Sequence, residues 1–422
     1  MKIKISSLGC RLNQAEIQSV ITRLKDFGHT IVPGNRDADV VIVNSCVVTH
    51  TSERKTRNLV SRALREMDPS LGGMIIVTSC YASRVERDGN VFYVPNDYKY
   101  LIPDLVENPS LFDSLEEQPA ERFSFQPATR SSRTRINLKI QDGCDNYCAY
   151  CIIPYVRGGP VSRPADEILD EFRVLLDSGY REFLLTGVMI GNYLHNGSEL
   201  AHLIESMISV EGDFRIHCSS LSPHAVTDKL TDLVTHEKMV KHLHLSLQSG
   251  SDRVLTLMNR HYHTDQYRRI VETIRGSDPL FNFTTDLIVG FPGEEDEDFR
   301  QSLAFIKEMN FSHVHTFRFS PREGTEAASM KQTVDEETKA ERSRQVITLS
   351  ETQKAEYYHT FTGTTSRFLA EHYRNGFTSG FNQYYVPVRV YGKLKRNQFY
   401  TLHTTLSPDG TFLVGEQLNF RE

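Results

Sequence analysis

Two rhythms of apolar and polar residues alternate along the chain. Short apolar runs at Lys2–Leu8, Val40–Asn44 and Met74–Ser79 are separated by stretches with the 3.6-residue period of amphipathic helices, Ala15–Phe27 and Ser52–Met67. Strand and helix at this spacing predict βαβ units and a small parallel sheet over residues 1–106. Residues 107–134 read as a linker: they hold Pro109, Pro119, Pro127, the acidic pair Glu116–Glu117 and the polar, basic stretch Thr129–Arg135. From about 135 to 358 the alternation resumes, with strands expected at Ile136–Gln141, Glu182–Gly187, Phe214–Leu221, His242–Leu247, Phe283–Val289 and Ser312–Phe319. Helical patterns lie between them, including Ala165–Leu176, Asp265–Arg275 and Glu295–Met309. Six βα repeats predict a partial (β/α)6 TIM-like barrel, with its chemistry at the C-terminal strand ends. The long charged helix Asp335–His359 closes this region. The last segment, 361–422, is rich in Thr, Tyr, Phe and Gly, and its short runs Tyr385–Tyr391 and Thr411–Gly415 predict a small β-barrel. The fold class expected is therefore α/β.

A chain of 422 residues is too long for one ordinary core, which agrees with this three-part reading. No apolar run reaches the roughly 18 residues of a membrane span, and the N-terminus reads as a strand rather than a signal peptide, so a cytoplasmic location is expected. The net charge of −6 shows no overall basic excess for nucleic acid. Locally, Lys393, Lys395 and Arg396 stand beside Tyr391 and Tyr400. That mixture suits RNA contact, and equally a solvated edge strand guarded by lysines.

Seven cysteines in a reducing compartment point to metal or redox chemistry rather than disulfides. Cys144, Cys148 and Cys151 form a Cys-x3-Cys-x2-Cys triplet directly after the first strand of the barrel-like region. Three thiolates at this spacing suit a [4Fe–4S] cube with one iron left open, free to chelate the amino and carboxylate groups of S-adenosylmethionine. A structural zinc site would need a fourth ligand, and none lies nearby in sequence. Cys10, Cys46 and Cys80 each close a strand of the first region, two of them after Asn/Thr-Ser. Parallel strands gather their C-terminal ends along one edge, so these thiols are candidates for a second cluster, or else buried structural cysteines. Cys218 lies within a strand and reads as a core thiol.

These motifs resemble the radical S-adenosylmethionine methylthiotransferases over essentially the whole chain. The resemblance rests on Leu8–Gln14, Gly143–Pro154, Leu185–Gly187, Leu247–Ser251, Asp286–Glu294 and Arg322–Thr325, and the final segment looks like the RNA-binding TRAM barrel of that family. It implies two [4Fe–4S] clusters. S-adenosylmethionine is cleaved to methionine and a 5′-deoxyadenosyl radical at Cys144, Cys148 and Cys151. A second S-adenosylmethionine methylates a sulfur held at Cys10, Cys46 and Cys80, and the methylthio group is transferred to a substrate carbon. An electron donor such as flavodoxin or ferredoxin is also implied. Gly187, Ser219 and Gln248 fall where family members contact S-adenosylmethionine; the alternative readings are a turn residue for the first and a strand-end cap for the last. Tyr150 packs against adenine or merely shields the cluster.

Family substrates are adenosine 37 of tRNA in two modified forms and an aspartate of a ribosomal protein. Leu8–Glu16 and Asn44–Thr49 look most like the subgroup acting on N6-threonylcarbamoyladenosine. That substrate carries a carboxylate, for which Arg54, Lys55, Arg57 and Arg62 are candidates, against a plain basic solvent face. Ser222, Ser246 and His263 depart from residues usual in relatives, without touching a cysteine. Rival readings are the same chemistry on isopentenyl-type adenosine or the ribosomal protein, and an RNA-binding iron–sulfur sensor without catalysis. Gly290–Gly293 reads as a tight βα turn. His242/His244 and His261/His263 have a period-2 spacing that suits a solvated strand or loop better than metal.

Overall fold

The computed structural model describes residues 1–67, 73–124, 127, 129 and 133–417. Part of the expected linker, including 130–132 of its basic stretch, and the tail 418–422 lie outside the described residues.

The N-terminal region is a six-stranded sheet in the order Thr30–Ile31, Lys2–Ser7, Val40–Ser45, Met74–Ser79, Val91–Val94, Glu86–Asp88. All pairs are parallel except the last. Val40–Ser45 and Met74–Ser79 are buried at every position, which is why they read as unbroken apolar runs. Their two faces pack different helices. Val40, Ile42 and Ile76 meet Ile17, Val20 and Leu24 of helix Arg11–Asp26, while Val41, Val43 and Val77 meet Ala63 of helix His50–Glu66. Helix Arg11–Asp26 begins four residues before its expected start, with Cys10 as its N-cap. Its buried polar residues, Asn13, Glu16, Ser19 and Thr22, give it a second covered face that masks the apolar period. The expected linker begins as packed structure: Phe112 and Leu115, in the helical turns Pro109–Glu117, are buried against the sheet's core.

Six parallel strands then build the partial barrel: Arg135–Lys139, Glu182–Thr186, Arg215–Cys218, His242–His244, Asn282–Val289 and His313–Arg318. The bridges Ile216–Met239 and Leu221–Leu245 join the two halves. Outward residues such as Ile136, Phe183, Ile216, Leu243 and Phe283 form one core with the surrounding helices. Cys218 belongs to it, 1% exposed, and burial pushes its thiol up to about 12.

The C-terminal region is a closed five-stranded barrel of Thr364–Arg374, Phe377–Asn382, Pro387–Tyr391, Leu413–Gln417 and Phe399–Leu406. It docks on the N-terminal ends of the larger barrel's strands. Arg135 Nη1 donates to the Tyr385 hydroxyl at 2.5 Å, Arg215 Nη2 to the Phe381 carbonyl at 3.2 Å, and Asn282 Nδ2 to the Tyr384 carbonyl at 2.8 Å. Tyr385 stacks on His242 with ring centroids 4.8 Å apart. Among the described residues no helix is long and apolar enough to cross a membrane.

The histidine expectation divides. His261 and His263 are exposed. His242 is buried and His244 half-buried, because alternate positions of their strand face a polar barrel interior and not solvent. His217 and His242 are 2.8 Å apart, and His242 and His244 both meet Thr284 Oγ1, at 2.9 and 3.0 Å. Burial lowers His217 to about 4 and His242 well below its ordinary value, whereas Glu182 beside His217 is held at about 2 by Arg215 against the cost of its burial. Between pH 6.5 and about 4 the unfolded chain therefore binds protons that the folded chain refuses, so stability falls as pH falls through that window. The melting temperature should drop on acidification from pH 7 to pH 5, and His242→Gln should flatten the slope. A melting temperature independent of pH over that range would contradict this account.

Candidate active site

The parallel register brings three strand ends side by side: Ser7 lies opposite Asn44, and Ser45 opposite Ser79. Cys10, Cys46 and Cys80 follow them. The ends are laced by side chains. Asn44 Nδ2 donates to the Ser7 hydroxyl at 2.9 Å and to the Asn13 carbonyl at 3.0 Å, and Ser79 Oγ donates to Asn44 Oδ1 at 2.5 Å. The Tyr81 N–H donates to Ser45 Oγ at 3.0 Å. Ser79 adopts φ 72°, a left-handed turn that sets the direction of the Cys80 loop. A Cβ added to Gly9 would stand 3.2 Å from the Cys46 Cβ, so the Cys10 and Cys46 loops are in contact. Cys46 and Cys80 are buried and Cys10 is exposed. Burial raises the Cys80 thiol, Arg157 opposes that rise, and Cys10 and Cys46 are near enough to add to it.

The second triplet follows the barrel's first strand. Gly143 takes φ 72°, and a Cβ there would lie 1.9 Å from the Gly159 carbonyl oxygen, so only glycine fits the turn into Cys144. The Cys144 N–H donates to the Gly158 carbonyl at 3.0 Å, and the Ala149 N–H to the Met258 carbonyl at 3.0 Å. Arg260 Nη1 donates to Cys148 Sγ at 3.1 Å, and its Nη2 to the Ser222 hydroxyl at 3.0 Å. Cys144 and Cys148 are buried and Cys151 is half-buried. Burial pushes Cys151 up to about 12, with Cys148 and Cys144 adding to the rise, so this trio also shares one neighbourhood. A bound metal ion inverts that preference for the neutral thiol.

The remaining expected residues also stand at C-terminal strand ends. Gly187 follows Glu182–Thr186, and a Cβ there would lie 2.8 Å from both the carbonyl and side-chain oxygens of Gln141. Ser219 is buried after Arg215–Cys218, its N–H donating to the Leu185 carbonyl at 3.0 Å. Gln248 is buried with φ 67°, its N–H donating to the Asp286 carbonyl at 2.8 Å. Tyr150 packs against the cluster formed by Val254, Met258, Phe291 and Phe319, and burial raises its hydroxyl pKa well above the ordinary value. Gly290–Gly293 is a turn braced by Glu294, whose carboxylate accepts from the Gly290 N–H at 2.9 Å and pairs with Arg342.

Gln141 and Arg157, with no motif around them, and Arg322 of the Arg322–Thr325 motif organise the mouth. Gln141 Oε1 accepts from the N–H groups of Val188 and Met189 at 3.0 and 2.8 Å, while its Nε2 donates to the Gly143 carbonyl at 2.7 Å, pinning the cysteine loop to the Gly187 turn. Arg322 bonds the Val47 carbonyl and pairs with Glu53 at 3.1 Å, and the ring of His50 meets the Pro321 carbonyl at 2.7 Å. The Cys46 loop is thereby docked on the barrel mouth. Arg157 reaches from the Cys151 loop to Asn13, at 2.6 Å.

The donor set fits iron–sulfur cubes. Each trio offers three soft thiols in one neighbourhood, and buried N–H donors stand without partners beside both: Asn146 Nδ2 within the Cys144–Cys151 loop, and Arg322 Nε and Nη1 next to the Cys46 loop.

A six-stranded open barrel with a Cys-x3-Cys-x2-Cys loop after its first strand defines a radical S-adenosylmethionine protein, and residues 138–306 match the Radical SAM superfamily. Residues 2–91 match the Uncharacterized protein family UPF0004. The chain is 33% identical to the threonylcarbamoyladenosine tRNA methylthiotransferase MtaB of Thermotoga maritima, over 97% of this chain and 95% of that protein. It is 31% identical to the tRNA-2-methylthio-N(6)-dimethylallyladenosine synthase of Thermodesulfovibrio yellowstonii, over 94% of each. Among solved structures, the radical S-adenosylmethionine methyltransferase TsrM of Kitasatospora setae shares the fold, with a TM-score of 0.53 and 12% identity over 78% of this chain and 73% of that one. The chain belongs to the radical S-adenosylmethionine methylthiotransferases that act on tRNA. Its cofactors are those of the family, two [4Fe–4S] clusters and S-adenosylmethionine.

Gly143→Ala should displace the Cys144 loop. Iron content after anaerobic reconstitution should fall towards that of a single cluster, with the N-terminal sheet still folded by circular dichroism; full iron content would show that the turn tolerates a side chain.

Proposed function

We propose that this chain adds a methylthio group to C2 of N6-threonylcarbamoyladenosine at position 37 of tRNA, in the cytoplasm, drawing electrons from a donor such as flavodoxin or ferredoxin. Cys144, Cys148 and Cys151 hold the radical-generating cluster, Cys10, Cys46 and Cys80 hold the second, and Tyr150, Gly187, Ser219 and Gln248 line the S-adenosylmethionine pocket. The observation that carries the reading is the meeting of two separate thiol trios, one from the N-terminal sheet and one from the barrel, with Arg322 and Arg157 bonded across the seam. When bound, the cofactors supply the radical and the sulfur. The chain's own work is positional: Gln141 sets the cysteine loop against the Gly187 turn, and Arg322 seats the Cys46 loop.

The choice of adenosine follows the name of the Thermotoga relative and the chemistry of a carboxylate. Arg54, Lys55, Arg57 and Arg62 do not suit that carboxylate, because all four are exposed, and Arg57 and Arg62 pair with Glu53 and Glu66 of their own helix at 3.5 and 2.8 Å. Arg11 suits it better. It is half-buried, follows Cys10 directly, and opens a helix, where a cation is disfavoured by the dipole. Its charge is felt by His217, His242 and His315 in the barrel.

Mass spectrometry of tRNA nucleosides from cells with and without the gene tests the substrate. Loss of 2-methylthio-N6-threonylcarbamoyladenosine with build-up of its parent is expected; an unchanged profile in a strain without a redundant enzyme would remove this substrate. Cys148→Ala should abolish 5′-deoxyadenosine formation, whereas Cys46→Ala should block the methylthio product and leave part of the cleavage. Arg11→Gln should raise KM for the threonylcarbamoyl tRNA by about tenfold, the weight of one charged hydrogen bond. An unchanged KM would leave the carboxylate to another group.

A further inference from the structure

One buried side chain reaches both thiol trios. Arg157 ends the short helix Ile153–Arg157, six residues after Cys151, and is 4% exposed. Its Nη2 donates to Asn13 Oδ1 at 2.6 Å, and its Nη1 to Asp142 Oδ1 at 2.8 Å and to Glu16 Oε1 at 3.1 Å. Asn13 lies three residues after Cys10 and donates through Nδ2 to the carbonyl of Ser45, the residue before Cys46, at 2.8 Å. A group growing out of one cysteine loop thus holds the side chain that braces the Cys10 and Cys46 loops of the other trio.

Its charge is placed as tellingly as its hydrogen bonds. Lys99 and Lys139 contact Glu16 at 2.7 and 2.8 Å, and Lys139 contacts Asp142 at 2.7 Å. Arg157 is the cation of this buried cluster that bonds Asn13, three residues after Cys10, while Lys99 donates to the Ser79 hydroxyl beside Cys80. A fixed positive charge beside a thiolate-bound centre favours its more negative, reduced state.

We propose that Arg157 is a positioning residue for the reaction: it fixes the Cys10, Cys46, Cys80 trio relative to the Cys144, Cys148, Cys151 loop, and it raises the reduction potential of the cluster on the first trio. Arg157 has this role only if Cys10, Cys46 and Cys80 hold the second cluster, as proposed above. Arg157→Met removes the charge. Arg157→Lys keeps the charge but cannot span Asn13 and Asp142 together. Both are made in the full-length reconstituted chain and followed by redox titration with electron paramagnetic resonance, and by the ratio of methylthiolated nucleoside to 5′-deoxyadenosine.

In Arg157→Met the second cluster's potential should become more negative while the radical cluster's stays in place, and the ratio should fall by about tenfold or more. Arg157→Lys should restore the potential but not the ratio. Wild-type potential and ratio in both variants would overturn the proposal. If Arg157→Met does not fold, Asn13→Ala, which removes the acceptor for Arg157 and the donor to the Ser45 carbonyl but no charge, should still lower the ratio, and a wild-type ratio there would also overturn it. Cys80→Ala separates the two levels of inference: if it keeps the iron of both clusters, the ligand assignment fails, independently of what Arg157 does.

Discussion

Glu16 is a carboxylate with almost no access to water, and it meets Lys99, Lys139 and Arg157. Its helix belongs to the N-terminal sheet, whereas Lys139 and Arg157 belong to the barrel. Burial alone would drive this carboxyl towards its neutral form, yet the three cations hold its pKa well below the ordinary range. Such a group can be buried only with its partners present. Removing one partner from a buried ion cluster typically costs about 3–5 kcal/mol, because the remaining charge is left without solvent or counterion. The sheet and the barrel therefore meet in one register or not at all. Helix Arg11–Asp26, its cap Cys10, and the loops that Asn13 holds take their places from that single carboxylate.

Much of this architecture is legible in the sequence, and the physical reasons differ by element. Strands buried on both faces, such as Val40–Ser45, announce themselves as apolar runs, and the cysteine loops follow from spacing and from the rule that parallel strands align their ends. Helix Arg11–Asp26 was harder to bound, since Asn13, Glu16 and Thr22 look like a solvent face and are in fact buried against charged partners. The same concealment applies to Gln141, Arg157 and Arg260. Each acts through contacts with residues far away in sequence, and a lone polar residue carries no periodic signal of its partner. His242 and His244 misled for a related reason: the inner face of this barrel is polar, so an alternating pattern that ordinarily marks solvent here marks the lumen.

The barrel keeps its apolar packing outside, towards the helices, and reserves its inside for ionisable groups. Arg135, Glu182, Arg215, His217 and His242 sit low on their strands and answer one another. The thiols and the expected cofactor contacts stand at the opposite ends. This separation lets the upper mouth bear strained turns at Tyr147 and Gln248, because the fold is held from below and from the sheet–barrel seam.

The way the small C-terminal barrel sits on that lower end gives it a second identity. Tyr385, Phe381 and Tyr384 fill the base of the larger barrel, accepting hydrogen bonds from Arg135, Arg215 and Asn282. In engineering terms it is a stopper as well as an appendage. A chain cut after helix Glu336–His359 would not be an enzyme lacking an accessory module. It would be an open tube, with guanidinium and imidazole groups newly wetted and the far end of the reaction chamber exposed to bulk solvent.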